Sequence, residues 1–283
     1  MPSPARLPVG RPLWSTGNVI SCWRSWSAPK ERVIELTGIQ STTAQAGSGA
    51  IRHVVVVVPV RNEEELLAGC IRCIRHAMDR LEAARPGLTA ALTVVLDGCT
   101  DGWAAIARAA AAQDGRIEIL AADYGSVGAA RAAGTAAALE RVRDSTGAME
   151  TVWIACTDAD TLVPGNWLTA FVGLANAGAD AVTGTVEPDP AQLDAERLAA
   201  WHQRHGRSAE AASVHGANLG MRASAYLAAG GFRDMAEHED VRLVEDLRSS
   251  GATVRASRAL HAVTSGRLEG RTPGGFAGYL AAL

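Results

Sequence analysis

Thr157-Asp158-Ala159-Asp160 holds the residue types and spacing most able to do chemistry in this chain. Two carboxylates one residue apart offer hard oxygen donors that suit a divalent cation such as Mg²⁺ or Mn²⁺, and a cation held there can bridge to a diphosphate. They follow an apolar run over residues 151–156 that reads as a buried strand, and Pro164-Gly165 closes the loop they open. Open α/β sheets bind ligands at the carboxyl ends of their strands, which is where this pair falls. An Asp-rich turn or helix cap uses the same residue types for local hydrogen bonds alone. What else reaches that edge decides between the two.

The elements that must position the pair become regular from residue 53. Residues 54–60 form the Val-rich run expected of a strand buried on both faces, and Asn62-Glu63-Glu64-Glu65 opens a helix predicted to reach residue 81. A second strand over 92–96 runs into Asp97-Gly98-Cys99-Thr100-Asp101-Gly102 and a helix over 103–112. A third, over 117–121, leads through Gly125 and Gly128 into a helix over 127–143, and the fourth precedes the Asp pair. Strands alternating with helices predict right-handed βαβ units, hence a single α/β domain with a Rossmann-like, mostly parallel sheet flanked by helices. Further on, the pattern predicts a helix over 241–250 and a strand over 253–256, with His261 starting a short segment after it.

Loops at the carboxyl ends of such strands share one edge of the sheet. Pro59-Val60-Arg61-Asn62-Glu63 turns the chain and places a carboxylate at a helix N-terminus. Asp97 and Asp101 surround a glycine and supply acceptors for the ring edge and ribose hydroxyls of a nucleoside. Arg131 lies near the start of the third crossover helix, where it can hold either a diphosphate or the Asp pair. Asn62, Thr100 and Asp101 are also good N-cap residues, which alone would explain their type. Four polar loops on one edge favour a ligand site over four separate caps.

Composition narrows the function classes. A formal net charge of −3 and a pI near 6.2 give no electrostatic case for nucleic acid or an anionic membrane as partner. Lys30 is the only lysine among 27 basic residues, a bias that reads as GC-rich coding, so arginine counts carry no weight by themselves. No stretch approaches the roughly 18 apolar residues of a membrane helix, and a soluble cytoplasmic protein is the expectation. The five cysteines are scattered, and the Cys70/Cys73 pair falls mid-helix with no second pair to complete a zinc site, so packing is its expected role. His202, His205 and His215 likewise lack a completing Cys or carboxylate cluster, which predicts a packed or solvated helix face. Residues 1–50 are rich in Ser, Thr, Pro, Gly and Arg without periodicity and read as a poorly ordered extension.

Taken in order, Pro59-Val-Arg-Asn62-Glu63, Asp97-Gly98-Cys-Thr100-Asp101-Gly102, Ala130-Arg131-Ala-Ala-Gly134, Asp158-Ala-Asp160, Gly216-Ala-Asn218-Leu-Gly220-Met-Arg222, Gly230-Gly231-Phe232 and His238-Glu239-Asp240 resemble the family 2 glycosyltransferases of the GT-A fold. The resemblance spans about residues 52–265. It implies a nucleotide-sugar donor, with UDP as first guess, a hydroxyl acceptor, and Mn²⁺ or Mg²⁺ as cofactor. It places Pro59, Asn62, Glu63, Asp97 and Asp101 at the nucleoside, with Arg131 and Asp158 also at the donor and Asp160 at the metal. Asp240 becomes the general base, Gly216, Asn218 and Glu239 border the acceptor, and His261 completes the metal shell. Residues 51–190 then form the donor half and 191–283 the acceptor half.

This chain also departs from the family's pattern. Leu96 stands before Asp97 where many members carry a second acid, Cys99 replaces a common serine, and the Gln-x-x-Arg-Trp signature of processive synthases is missing, since Ala200 precedes Trp201. Transfer of a single sugar is therefore expected, and direct attack opposite the leaving group would invert the anomeric carbon, although relatives of similar sequence can retain it. Two other readings stay open: a sugar-phosphate nucleotidyltransferase, although no glycine-rich loop follows the first strand, and a non-catalytic nucleotide-binding homologue. From the composition break, deletion of residues 1–48 is expected to preserve a cooperative thermal transition, and its loss would make the extension part of the core.

Overall fold

A computed structural model describes residues 49–100, 102–146, 148–205, 214–270, 272 and 274–283; the N-terminal extension and Asp101 lie outside the described residues. The parallel half follows the sequence pattern. Strand β1 (His53–Val60) leads to helix α1 (Glu64–Ala84), β2 (Thr89–Asp97) to α2 (Trp103–Gln113), and β3 (Ile117–Ala122) to α3 (Val127–Thr146). A 3₁₀ turn at Met149–Thr151 precedes β4 (Val152–Cys156). In β1, alternate valines face opposite layers. Val54, Val56 and Val58 pack with Leu67, Ile74 and Met78 of α1, whereas Val55 and Val57 pack with Ala130 and Ala138 of α3. Burial on both faces explains why the strand reads as an unbroken apolar run. Helix α3 lies so close that a Cβ on Gly134 would come within 2.4 Å of Val95, so only glycine permits this approach.

The other half is predicted by the sequence pattern only in the start of one strand, over 253–256, and a helix over 241–250. It contains β5 (Thr161–Leu162), α4 (Trp167–Asn176), β6 (Ala181–Pro188), α5 (Ala195–His205), a 3₁₀ turn at Gly216–Asn218, β7 (Leu219–Arg222), α6 (Ala223–Ala228), α7 (Glu239–Ser249), β8 (Val254–Thr264) and α8 (Phe276–Ala281). The sheet order is β3-β2-β1-β4-β7-β6-β8-β5. Its β1, β2, β3 and β4 neighbours and the β6/β8 pair run parallel, while β7 is antiparallel to both β4 and β6. The start of β7 and the ends of β6 and β8 therefore join the ends of β1 to β4 on one edge.

A strand predicted to end at residue 256 in fact continues to Thr264, because a register break interrupts it without ending it. Gly184 pairs with Ser257, and the next residue, Thr185, pairs with His261. Asn218 sits at that break, fully buried. Its Nδ2 donates to the carbonyls of Thr185 (2.8 Å) and Leu260 (2.9 Å), and its Oδ1 accepts from Trp167 Nε1 at 2.9 Å. A Cβ on Gly184 would collide with this amide at 2.3 Å, so the pair is fitted together. The bulge redirects β8 so that its end reaches the Asp pair. Asn218→Ala removes the partner of the Trp167 N–H and one donor each from the Thr185 and Leu260 carbonyls, and urea unfolding should show a loss of roughly 2–4 kcal/mol. Unchanged stability would remove Asn218 from this packing role.

Candidate functional site

A cleft of about 1080 Å³ opens at the shared edge. Its walls take Pro59, Arg61 and Glu63 from the end of β1, Asp97 from β2, Ser126 and Arg131 from the β3–α3 connection, and Asp158 and Asp160 from β4. The lining also includes Gly216, Glu239, Asp240 and, from the end of β8 and just beyond it, Thr264, Ser265 and Arg267. Most of the residues singled out by sequence, from segments more than 150 positions apart, thus meet in one place.

Each acidic side chain is held by defined partners. Asp97 is buried, and its Oδ1 accepts from the backbone N–H groups of Tyr124 (2.6 Å) and Gly125 (3.0 Å), fixing the β3–α3 loop. Its Oδ2 lies 3.9 Å from the half-exposed guanidinium of Arg61. Glu63 is buried and receives both its oxygens' contacts from Arg267 Nη1, at 2.8 and 3.0 Å, while Arg267 Nη2 reaches Asp160 Oδ2 at 2.9 Å. Arg131, also buried, donates Nη2 to Asp158 and Nη1 to Glu239. Gly216 lies against that guanidinium, and a Cβ there would come within 2.2 Å of Nη1. The Gly216 N–H in turn donates to Asp240 Oδ2 at 2.5 Å, and Val241 N–H donates to Oδ1 at 2.7 Å.

Three expected site residues are not brought into this cleft. His261 lies within β8 and not on a loop; its Nε2 is 2.7 Å from Glu187 and its Nδ1 3.0 Å from Thr185 Oγ1. Asn218 is consumed by the bulge. Asn62 accepts from the Thr100 N–H at 2.8 Å and so ties the first loop to the second. Asn62 (φ 52°) and His238 (φ 62°) are the non-glycine residues with positive φ among those described; His238 lines the cleft and Asn62 lies next to Arg61 and Glu63, which do. Such backbone strain persists where surrounding structure holds it, commonly at functional sites.

Sequence reasoning missed a wall of rings. Trp201 stacks on His205 at 3.7 Å between centroids, with Phe276 and Tyr279 edge-on to it, and all four line the cleft. Trp201 was noted only for the arginine it lacks, and the His205 spacing only as a zinc pattern. The packed-helix-face expectation describes His205, which bonds the Trp201 carbonyl at 3.0 Å. Cys70 is buried and donates to the Asp158 carbonyl at 3.3 Å, so the mid-helix cysteine supports the Asp loop from below.

Electrostatics set the site apart from a collection of caps. Burial, and next the neighbouring Asp158, push the Asp160 carboxyl up to about 6, against the opposing pull of Arg267. Burial lowers His215 more than Asp240 raises it, which keeps its imidazole neutral at pH 7. Burial alone would lower Arg131, but Asp158 and Asp240 carry it above its ordinary value.

Among the described residues no three His, Cys, Asp or Glu side chains converge as a ready metal cage. The donors present nonetheless fit a hard cation. Asp160 offers carboxylate oxygens flanked by the hydroxyls of Thr161 (3.3 Å) and Thr264 (3.4 Å), and added positive charge would favour its ionised form. Ions of the Mg²⁺ type commonly take one or two carboxylates and complete their shell with substrate phosphates and water.

The Asp160 shift has a checkable sign. A carboxyl whose folded pKa exceeds its unfolded value takes up a proton on folding, so it costs the apo protein stability as pH rises from about 4 to about 6. Asp160→Asn should therefore raise thermal stability relative to wild type at about pH 7.5 by on the order of 1–2 kcal/mol, with little difference at about pH 4. A difference independent of pH would show that Asp160 ionises freely.

The comparisons with known proteins agree with this geometry. The family model described as Glycosyl transferase family 2 matches residues 55–225. Mannosyltransferase PcManGT from Pyrobaculum calidifontis, solved in complex with GDP-Man and Mn2+, is similar in structure at 20% identity and a TM-score of 0.51, over 77% of this chain and 57% of that one. GalNAc-T7, solved with UDP, GalNAc and Mn2+, is similar at 9% identity and a TM-score of 0.53, over 76% of this chain and 44% of that one. This chain thus spans about half the length of each, and at such identities the likeness is one of fold, the expected GT-A type. A comparison with curated protein sequences gives no match. With the family model covering more than half of its length, and the polar loops of its strands gathered at one cleft, this chain belongs to glycosyl transferase family 2.

Proposed function

We propose that this chain transfers one sugar from a nucleoside-diphosphate sugar, UDP-linked as first choice, to an acceptor hydroxyl. The observation that carries the reading is that Asp240, Asp158, Asp160, Glu63 and Asp97 line one cleft, with Glu63 and Asp160 sharing the Arg267 guanidinium. Family membership supports it, as do the nucleotide-sugar and Mn2+ complexes of structurally similar proteins.

Asp97 and Glu63 form the nucleoside end, and Asp97 also rigidifies the loop that would cover the ring. Asp158 orients the sugar, itself fixed by Arg131. A Mn²⁺ or Mg²⁺ ion held by Asp160, with Asp158 beside it, would supply positive charge where the diphosphate departs. Asp240 accepts the proton of the attacking hydroxyl. An alcohol is far too weak an acid to attack unaided near neutral pH, and a carboxylate facing the sugar from the side opposite the leaving group solves this, with inversion at the anomeric carbon. Two backbone N–H groups hold the Asp240 carboxylate, whereas Glu239 is turned away into its ion pair with Arg131. Of the adjacent acids, Asp240 is therefore the one free to serve as base. Residues 51–190 supply the donor side and 191–283 the acceptor side under this reading.

The test compares two variants by nucleotide release over UDP-, GDP- and dTDP-sugars and by calorimetry of donor binding with Mn²⁺ present. Asp240→Asn should slow turnover by roughly 10²–10⁴ while donor affinity holds, because only the proton acceptor is lost. Asp160→Ala should weaken donor binding itself. Wild-type turnover in excess chelator would remove the metal from the reading, and equal loss of donor affinity in both variants would remove Asp240 as base.

A further inference from the structure

The two arginines that bridge the cleft's carboxylates differ in how closely they are confined. Arg131 is enclosed: its side chain is 3% exposed, Gly216 lies against the guanidinium, and the Phe232 ring centroid is 5.9 Å from the guanidinium carbon. Arg267 is not. Its side chain is 33% exposed, against 7% for Glu63 and 13% for Asp160, so the guanidinium has a way into the open cleft that the two carboxylates lack. Its backbone, by contrast, is pinned. Gln192 Oε1 accepts from Ser265 Oγ at 2.8 Å and from the Gly266 N–H at 3.0 Å, and a Cβ on Gly266 would meet the Asp189 carbonyl at 2.9 Å. Freedom at this point therefore belongs to the Arg267 side chain and not to the segment that carries it.

The contacts of Arg267 are also divided between separate nitrogens. Nη1 holds both oxygens of Glu63, at 2.8 and 3.0 Å, while Nη2 holds Asp160 Oδ2 at 2.9 Å. Asp160 Oδ1 faces the hydroxyls of Thr161 and Thr264, which are hydrogen-bonded to each other at 2.8 Å. Asp160 can thus be released without stranding Glu63. A divalent cation and a guanidinium on one nearly buried carboxylate repel each other where the local dielectric is low, so occupancy by one opposes the other.

Resting on the proposed reading of Asp160 as the metal ligand, we propose that Arg267 is a resident competitor of the divalent cation. Its Nη2 holds Asp160 against metal, and loading requires the side chain to give up Asp160 while Nη1 keeps Glu63. The apparent affinity for metal is then lowered by the fraction of molecules in which Asp160 is paired with Arg267. The same contact stabilises the unloaded cleft, so metal affinity and apo stability draw on one carboxylate and oppose each other.

The experiment follows Mn²⁺ binding to the full chain, without nucleotide, by water-proton relaxation, with Asp160→Ala identifying the signal that belongs to this site. Wild type is compared with Arg267→Gln, Arg267→Lys and Arg61→Gln. The Arg61 variant removes one positive charge from the same cleft without touching Asp160, and so measures the general electrostatic gain. Arg267→Gln should bind Mn²⁺ roughly tenfold tighter than wild type, and Arg61→Gln no more than about threefold tighter. Arg267→Lys, whose point charge holds one carboxylate at a time, should fall between wild type and the glutamine variant. Thermal unfolding supplies a second readout. Without metal Arg267→Gln should melt below wild type, and a fixed Mn²⁺ concentration should raise its Tm by more than it raises that of wild type, since the stabilisation follows metal affinity. A merely structural arginine would lower Tm equally with and without Mn²⁺. Binding by Arg267→Gln no tighter than by Arg61→Gln overturns the inference alone. Should the glutamine variant fail to fold, the lysine variant decides, and affinity equal to wild type overturns it. If neither wild type nor any variant binds Mn²⁺ even with UDP present, the metal leaves the proposed function and the inference falls with it.

Discussion

Repulsion among carboxylates is the constraint around which this molecule is arranged. Glu63, Asp158, Asp160, Glu239 and Asp240 line one cleft, and like charges so gathered must be compensated or protonated. Two guanidiniums do most of this. Arg267 joins Glu63 from the end of β1 to Asp160 from the end of β4, and Arg131 joins Asp158 to Glu239 at the start of α7. Each arginine therefore holds two elements distant in sequence. Buried ion pairs contribute little net stability over well-packed apolar groups, but removing the arginine of such a pair would leave its carboxylates uncompensated at a cost of about 3–5 kcal/mol. Their value here is placement. The planar fork of arginine fixes both carboxylates at once, which a lysine could not do.

Placement by charge requires that the backbone deliver the arginines, and the two halves of the sheet do so differently. Arg131 arrives on a helix whose packing is secured by Gly134 against β1 and β2, an ordinary βα connection. Arg267 arrives only because the Asn218-filled break lets β8 continue past Ser257 to Thr264. The break, filled by the buried Asn218, thus decides whether Glu63 and Asp160 share a counter-ion. Packing at Asn218 and charge at Asp160 belong to the same device.

This difference explains what could be read from the sequence. Parallel strands buried on both faces give unbroken apolar runs, each followed by a helix with a polar opening, so β1 to β4 and their loops were legible within a few residues. The antiparallel half gives no such signal. Strand β7 is four residues long and β5 two, and the register break in β8 looks like a strand end. His261 accordingly read as a loop residue near the metal, whereas its ring is engaged by Glu187 and Thr185 within the sheet. Asn218 and Glu239 carried polar types that suggested substrate contact; long-range pairing turned Asn218 inward, and Glu239 stays in the cleft wall in an ion pair with Arg131. The ring wall escaped notice because Trp201 and Tyr279 are 78 positions apart and neither has a motif. Residue type at a strand end was informative; side-chain direction depended on contacts that no local pattern encodes.

The charge balance also bears on what may enter. Seven carboxylates line the cleft against three arginines among the described residues, and all three arginines lie against carboxylates. A nucleoside diphosphate brings further negative charge to this surface. Freeing Arg267 to meet it would strip Glu63 and Asp160 of their shared counter-ion, and freeing Arg131 would do the same to Asp158 and Glu239. These two side chains therefore cannot bind a diphosphate by exchanging partners without stranding a buried carboxylate, which low local dielectric makes expensive. Of the cleft arginines among the described residues, Arg61, half-exposed and 3.9 Å from Asp97, is the one that could turn to a diphosphate without that loss, and charge added with the donor would supply the rest. Asp160, whose ionisation is already suppressed by burial and by Asp158, is the place where added charge gains most. That imbalance, more than the Asp-x-Asp spacing itself, is the physical reason for a divalent cation in the proposed reaction.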